Sequence, residues 1–248
     1  MKIIWKVVYI RNLLLDVFYP EKCMLCGKLL AESPGGVCKA CRSRMPYILG
    51  DRCIKCSKRT DGLHDVCMDC KRRRHIYRQG YALFEYDRNT ERVIADIKYA
   101  GKWRNIDWLT KELAYHASLY MKKWDAQLIV PVPLHKSKLR KRGFNQAGLV
   151  AGLIADEYNI PYDDKLVIRR KKTRPQKNLD DNERKRNLKN VFCVDRSRYG
   201  KYVDLRTVIL VDDIYTSGST VDACAAELIK AGVKDVYFLA LCIGNGYS

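Results

Sequence analysis

The segment at residues 208–220, VILVDDIYTSGST, carries the residues best suited to bind a ligand. Its apolar start predicts a buried strand, and two adjacent carboxylates, Asp212 and Asp213, follow. A short loop then supplies hydroxyl groups and one glycine. The loop residues are Thr216, Ser217, Gly218, Ser219 and Thr220. Because ligands of open α/β sheets bind at the carboxyl ends of strands, we expect a binding site here.

The chemistry of this segment favours a ribose 5-phosphate unit. The loop is predicted to open a helix over residues 221–231, and free amides at a helix start favour phosphate. Gly218 would let the backbone approach the anion. Carboxylates repel phosphate, so the acid pair needs another partner, and the hydroxyls of a ribose can donate hydrogen bonds to it. The alternative is that Asp213 and the hydroxyl cluster only cap the helix.

The first eight of the eleven cysteines form four C-x-x-C pairs. The pairs are Cys23 and Cys26, Cys38 and Cys41, Cys53 and Cys56, and Cys67 and Cys70. Two such pairs can surround one tetrahedral ion, which is typical of a structural zinc ribbon. We expect the first two pairs to share one zinc and the last two another, with an interleaved pairing as the alternative. Gly27 fits the turn after Cys26.

Two other roles for the cysteines are weaker. A disulfide framework is typical of small secreted chains, and charged residues interrupt the apolar N-terminal stretch, so we expect no export signal and a cytoplasmic protein. A single C-x-x-C could be a redox pair, but four regularly spaced pairs favour zinc. The remaining Cys193, Cys224 and Cys242 are predicted to be buried small hydrophobes.

The chain after the cysteines alternates predicted strands and helices. This order predicts an α/β fold, a parallel sheet with helices on both faces. The predicted strands cover residues 81–86, 127–133, 165–170, 207–213 and 236–244. The predicted helices cover residues 92–101, 107–123, 145–158 and 221–231. We expect three parts: an amphipathic helix over 1–19, a double zinc ribbon over 20–74 and the α/β domain over 75–248.

The charge of the chain favours anionic partners. Its 47 lysines and arginines outnumber its 28 acids, which gives a net charge of +19. Two stretches without acids, residues 136–142 and 169–177, are predicted to be basic loops that contact nucleic acid. Their candidate contacts are Lys138, Arg140, Lys141, Arg142, Arg169, Arg170, Lys171, Lys172 and Arg174. Candidate stacking aromatics are Phe144, Tyr162, Tyr215 and Tyr99, although packing inside the protein is the commoner fate of an aromatic.

Four segments carry a resemblance to known families. VILVDDIYTSGST resembles the phosphoribosyl-diphosphate signature of type I phosphoribosyltransferases. Residues 97–103 (IKYAGKW), 130–152 (VPVPLHKSKLRKRGFNQAGLVAG) and 173–192 (TRPQKNLDDNERKRNLKNVF) resemble the ComF (ComFC) family of competence-associated proteins. That family combines the phosphoribosyltransferase-like fold with N-terminal zinc ribbons. The resemblance covers nearly the whole chain.

The resemblance implies roles for individual residues. Asp212 and Asp213 would hold the ribose hydroxyls, and residues 216–220 would bind the 5-phosphate. His135 and Lys136 would belong to the pyrophosphate loop, residues 173–190 would form a mobile flap, and magnesium would bridge diphosphate and ribose.

The resemblance also implies a function. It implies binding of single-stranded DNA during natural transformation, with a helicase-like translocase as a possible protein partner. An active phosphoribosyltransferase on an unknown acceptor is the alternative, because the acid pair and the phosphate loop are intact. No general base is evident from the sequence.

Overall fold

The computed structural model of the chain describes residues 22–30, 36–99, 104–171, 188 and 190–244. The helix predicted over residues 1–19 lies outside the described residues. So do Lys172, Arg174 and most of the predicted flap. Among the described helices, none combines the length and apolar character needed to cross a bilayer.

The described chain contains short helices in the ribbon region and alternating strands and longer helices after it. The helices are α1 (Lys39–Arg42), α2 (Met68–Arg72), α3 (Arg88–Tyr99), α4 (Arg104–Trp124), α5 (Lys136–Arg142), α6 (Gln146–Tyr158), α7 (Arg196–Tyr199) and α8 (Ser219–Ala231). The strands are β1 (Gln79–Glu85), β2 (Leu128–Pro131), β3 (Val167–Arg169), β4 (Phe192–Val194), β5 (Thr207–Tyr215) and β6 (Asp235–Ile243).

Four strands form the main sheet in the order β1-β6-β5-β2, and every neighbouring pair is parallel. Their sequences are short apolar runs whose residues are almost all buried, as expected for a sheet covered on both faces. Strand β5 lies inside the sheet and continues through the acid pair to Tyr215, two residues further than predicted. The acid pair therefore lies at an inner position of the carboxyl edge.

Helices cover both faces of this sheet, which confirms the predicted fold class. Ile209 and Val211 of β5 belong to the core that contains residues of α3, α4 and α6. Val208 and Leu210, which alternate with them along the strand, belong to the core that contains residues of α8. The central strand thus separates two hydrophobic cores.

The two ribbons join different cores. Met24 and Met45 of the first ribbon are buried in the core that contains α4 and α6. Ile48, Cys53 and Cys56 at the second ribbon are buried in the core that contains α8. Each ribbon therefore obtains its apolar contacts from a different face of the sheet.

Strand β3 does not belong to the main sheet. It pairs antiparallel with β4 in a separate two-stranded sheet, with Arg169 opposite Phe192. Val167 and Phe192 pack into the core on the α8 side, so this small sheet lies beside α8. The prediction of a strand at this position is confirmed, although its pairing is antiparallel.

The first predicted basic loop is a helix. KSKLRKR contains neither glycine nor proline, and it forms α5. His135 caps its start, since its side chain accepts a hydrogen bond from the Ser137 amide, and Gly143 ends it with a φ of 80°. The prediction of an irregular loop was wrong here, and the basic side chains project from a rigid element.

Candidate functional site

A cleft of about 220 Å³ opens at the carboxyl end of β5. Its charged lining residues are Lys98, Lys138, Arg142, Arg169, Asp212 and Asp213. Thr220, in the first turn of α8, also lines it. The fold thus brings the acid pair, two residues of α5 and the start of α8 together around one space.

The acid pair is anchored by the backbone and by one lysine. Asp212 accepts a hydrogen bond from the Asp213 amide at 2.9 Å, and Asp213 accepts one from the Ile214 amide at 2.8 Å. The Lys98 ammonium lies 2.5 Å from the second carboxylate oxygen of Asp213. Lys98 comes from α3, so this helix supplies the counter-charge for the end of β5.

The two carboxyl groups differ in their pKa. Burial, reinforced by the neighbouring charge of Asp213, raises the pKa of Asp212 well above its usual value. Burial also acts to raise the pKa of Asp213, but the Lys98 ammonium outweighs it, so the pKa lies below the usual value. The pair therefore offers one firmly ionised carboxylate and one that holds a proton more readily.

The loop before α8 has the features of an anion cradle. Gly218 is the N-cap residue of α8, with a φ of 76°. No side chain forms a capping hydrogen bond at the start of this helix. The Ser217 and Ser219 hydroxyls lie 2.9 Å apart. Within the described part of the chain, the amides of Ser217 and Gly218 donate to no protein acceptor. Helix capping by Asp213 or the hydroxyl cluster, the alternative considered above, is therefore not what the structure contains.

The predicted basic residues divide into three groups. Lys138, Arg142 and Arg169 line the cleft. Arg140, Lys141, Arg170 and Lys171 are exposed outside its lining. Lys172 and Arg174 lie outside the described residues.

The residues predicted for a pyrophosphate loop do not line the cleft themselves. His135 bonds the Ser137 hydroxyl at 2.8 Å, and Lys136 is the first residue of α5. Leu134, directly before them, does line the cleft. Their role in holding pyrophosphate stays a prediction.

The predicted stacking aromatics are mostly internal. Tyr215 is 3% exposed, its ring stacks on Phe238 at 4.6 Å, and its hydroxyl bonds that of Tyr77 at 2.6 Å. The Tyr162 hydroxyl donates to the Gly148 carbonyl at 3.1 Å, and Phe144 packs against the core. The stacking role predicted for Tyr215 was wrong, because burial takes its ring out of reach of a base.

The eight paired cysteines form two clusters in the described residues. One cluster contains Cys23, Cys26, Cys38 and Cys41, and the other contains Cys53, Cys56, Cys67 and Cys70. Within each cluster the four sulfur atoms lie within 4.8 Å of one another. Four thiolates at this spacing suit a tetrahedral zinc and leave no open coordination position, so the sites are structural. The sequential ligand pairing is the one that the structure contains.

The turns that carry the ligands repeat between the ribbons. Gly27 follows Cys26 with a φ of 74°, and Ser57 follows Cys56 with a φ of 71°. Each donates its amide to the carbonyl of the first cysteine of its pair, at 2.8 Å in both. The Arg44 guanidinium donates to the sulfur of Cys41 at 2.8 Å. Of the other cysteines, Cys224 and Cys242 are buried as predicted, and Cys193 is half-buried.

Comparison with known proteins gives a match to the ribbon region and relatives that match most of the chain. Residues 14–72 match a family model described as a double zinc ribbon domain. Competence protein F of Haemophilus influenzae is 27% identical, over 88% of this chain and 95% of its own length. DNA utilization protein YhgH of Escherichia coli K12 is 28% identical, over 90% and 97%. Competence protein ComFC of Bacillus subtilis is 27% identical, over 79% of each. The resemblance to the ComF family is confirmed.

The ComF relatives are matched along most of their length, so the likeness spans the ribbons and the sheet together. Among solved structures, adenine phosphoribosyltransferase from Leishmania donovani matches at 16% identity, over 57% of this chain and 69% of that one, with a TM-score of 0.28. The double zinc ribbon and the two four-cysteine clusters together support structural zinc. Magnesium that bridges the diphosphate and ribose of a bound ligand stays a prediction.

Proposed function

We propose that this chain binds single-stranded DNA in DNA uptake or utilisation and holds a ligand of the phosphoribosyl diphosphate type in the β5 cleft. One observation carries the proposal: the acid pair, several cations and Thr220 of α8 surround one space, and no side chain caps the adjoining start of α8. The names of the ComF relatives, competence and DNA utilization proteins, support the role in DNA handling.

The cleft matches the parts of a phosphoribosyl diphosphate. The ionised Asp213 and the neighbouring Asp212 suit the two ribose hydroxyls, which can donate hydrogen bonds to carboxylates. The amides of Ser217 and Gly218 suit the 5-phosphate at the start of α8. Lys138 and Arg142 of α5 lie where a diphosphate would need counter-charges. Magnesium, when bound with this ligand, would screen the diphosphate charge from the acid pair.

Single-stranded DNA would bind along the basic surface that continues from the cleft. Helix α5 carries five basic residues in seven, and most of them are exposed. The net charge of +19 adds attraction for a polyanion along its whole length. A nucleotide unit at the end of a DNA strand offers a phosphate and a deoxyribose, which lacks the 2′-hydroxyl of the small ligand. It could therefore occupy the phosphate end of the cleft and compete with the small ligand there.

The sugar-phosphate site is tested by calorimetry with phosphoribosyl diphosphate and magnesium. The wild-type chain should bind, and Asp213→Asn should bind at least about tenfold more weakly, since a charge-assisted hydrogen bond is lost. Asp235→Asn is the matched control, because Asp235 pairs with Arg78 at the opposite, amino edge of the sheet. Equal affinity in Asp213→Asn and wild type would reject the site.

The DNA role is tested by fluorescence anisotropy with a labelled single-stranded oligonucleotide at several salt concentrations. Affinity should fall steeply with salt, since binding releases counterions. Phosphoribosyl diphosphate with magnesium should displace the strand if one cleft serves both. Affinity that is absent at low salt, or that does not change with salt, would reject DNA binding.

An active phosphoribosyltransferase is the second candidate. The observation that favours it is the asymmetric acid pair, in which Lys98 keeps Asp213 ionised beside the anion cradle. Such a transfer depends on positioning and on charge stabilisation, which a preorganised cleft provides. Release of pyrophosphate in the presence of a panel of acceptors would establish the transferase activity. If the chain binds the ligand but releases no pyrophosphate, only the binding role remains.

A further inference from the structure

The segment that leaves the second ribbon runs directly behind the proposed phosphate loop. Helix α2 ends at Arg72, and the residues that follow lead into β1. On this path the Arg73 guanidinium donates to the Ser217 carbonyl at 3.1 Å. The hydroxyls of Tyr77 and Tyr215 lie 2.6 Å apart. The segment therefore contacts the loop at Ser217 and contacts Tyr215, the residue directly before the loop.

His75 forms the third attachment, at the exit of the loop. Its side chain is 2% exposed, and its Nδ1 donates to one carboxylate oxygen of Asp222 at 2.8 Å. The Ile76 amide donates to the other oxygen, also at 2.8 Å. Asp222 lies in the first turn of α8, and its own amide donates to the Gly218 carbonyl at 2.8 Å. Both oxygens of one carboxylate thus tie the start of α8 to this segment.

His75 also packs against the loop itself. A Cβ atom added at Gly218 would lie 2.9 Å from the Cε1 atom of His75. The His75 ring stacks on Tyr77, with centroids 4.8 Å apart. The imidazole therefore fills the space between Tyr77 and Gly218, the N-cap residue of α8. The amide of Gly218 is one of the two that donate to no protein acceptor in the described residues.

We propose that His75 is a positioning residue for the phosphate loop, so that the second ribbon is a structural part of the ligand site. This inference rests on the proposed function in one respect, the identity of the loop as a phosphate site. The ordering of the loop by His75 can be measured without any ligand. The described residues of the first ribbon pack on the other face of the sheet.

The test begins with hydrogen exchange of the Asp222 and Ile76 amides in the ligand-free chain. Both are hydrogen-bonded at the loop, Asp222 to the Gly218 carbonyl and Ile76 to the Asp222 carboxylate. In His75→Ala these amides should exchange about tenfold faster, the effect of losing one buried hydrogen bond and its packing. His75→Asn should restore slow exchange, because its amide nitrogen can donate to Asp222 from a similar position. His64→Ala is the matched control, since His64 belongs to the second ribbon and pairs with Asp61 on its exposed surface.

Calorimetry with phosphoribosyl diphosphate and magnesium is the second readout. His75→Ala should bind about tenfold more weakly, and His75→Asn and His64→Ala should bind like wild type. If His75→Ala is too unstable to study, Asp222→Asn should accelerate exchange of the same amides. Adding His75→Phe, which removes the Nδ1 donor but keeps an aromatic ring, should then cause little further change, as expected for one shared interaction.

The outcomes separate the two proposals. Unchanged exchange of these amides in His75→Ala, or acceleration spread evenly over the chain, would overturn the positioning role. Faster exchange of these amides in a chain whose wild type does not bind phosphoribosyl diphosphate would support positioning and overturn the proposed ligand.

Discussion

Asp212 and Asp213 are neighbours in the chain, yet their pKa values move in opposite directions. The cause is a single lysine, because Lys98 contacts Asp213 and leaves Asp212 with burial and a like charge. The buried charge of Asp212 is destabilising, and the two carboxyl groups together suit a ligand with two hydroxyl groups. Acid pairs that are kept at a cost to stability are a common feature of binding sites.

The asymmetry gives a prediction about stability. The folded pKa of Asp212 lies above its unfolded value, so its stability cost is absent below the unfolded pKa and grows as pH rises toward the folded pKa. Asp212→Asn should therefore increase the free energy of unfolding at neutral pH, because the amide removes the buried, repelled charge. Urea unfolding at neutral pH and below pH ~4 measures this.

Asp213→Asn is the matched comparison and has the opposite sign. The folded pKa of Asp213 is lowered, so its ion pair with Lys98 stabilises the chain above the unfolded pKa and is lost as pH falls through the folded pKa. The substitution should lower stability at neutral pH and change little in acid. A gain from Asp213→Asn, or a pH-independent gain from Asp212→Asn, would contradict the proposed charge states.

The position of the acid pair could be predicted from sequence, but its counter-charge could not. A strand, two acids and a hydroxyl loop are contiguous, so the local pattern contains the site. Lys98 reaches the site from α3, and His75 reaches it from the segment between the second ribbon and β1. Both are more than a hundred residues away from their partners in sequence. Their contacts depend on how these elements pack, which no local spacing encodes.

At the scale of elements, the start of α8 depends on one glycine. Gly218 has a φ of 76°, and a Cβ there would lie 2.5 Å from the Tyr215 hydroxyl. Gly218→Ala should lower the free energy of unfolding by about 1–2 kcal/mol from the left-handed backbone alone, and it should weaken binding of phosphoribosyl diphosphate. Thermal unfolding and calorimetry measure the two effects.

Gly152→Ala provides the control for this substitution. Gly152 lies within α6, and a Cβ there would meet nothing within 4 Å. Alanine in a helix is favoured over glycine by about 0.5–1 kcal/mol, so this variant should be slightly more stable and bind normally. A similar loss in both variants would show that glycine at the start of α8 has no special role.

Helix α5 shows what sequence analysis missed at this scale. The basic run over residues 136–142 is predicted to be a loop, but the absence of glycine and proline and the flanking His135 and Gly143 favour a helix. The helix directs Lys138 and Arg142 into the cleft and leaves the other basic residues exposed. The alternation of buried strands and helices, in contrast, predicted the sheet correctly, because burial on both faces leaves continuous apolar runs.

A prediction about DNA follows from α5. Lys138→Ala and Arg142→Ala should each reduce the slope of log affinity against log salt by about 0.7, the value for one lost contact with a single-stranded phosphate backbone. Lys122→Ala is the control, because α4 ends just before the amino end of β2, at the opposite edge of the sheet. Anisotropy titrations that give equal slopes for all three variants would exclude α5 from the interface.

At the scale of the whole molecule, the ribbons are built into the two cores of the sheet. The paired cysteines could be predicted from spacing alone, since two residues between thiols set the local turn. Their distribution over opposite faces could not, because it depends on tertiary packing of residues such as Met45 and Ile48. Zinc at each cluster should therefore stabilise a different half of the protein.

This arrangement can be tested with one serine substitution in each ribbon. Native mass spectrometry should find two zinc ions in the wild-type chain and one in either Cys41→Ser or Cys56→Ser, since each buried sulfur belongs to a separate cluster. Hydrogen exchange should then accelerate mainly in α4 for the first variant and mainly in α8 for the second.

Loss of both ions from one substitution would argue against independent clusters. Acceleration on the same face in both variants would mean that the ribbons do not support separate cores. If the effects separate as expected, the phosphate loop depends on the second zinc alone, because that loop lies at the start of α8 and on the same side as the second ribbon.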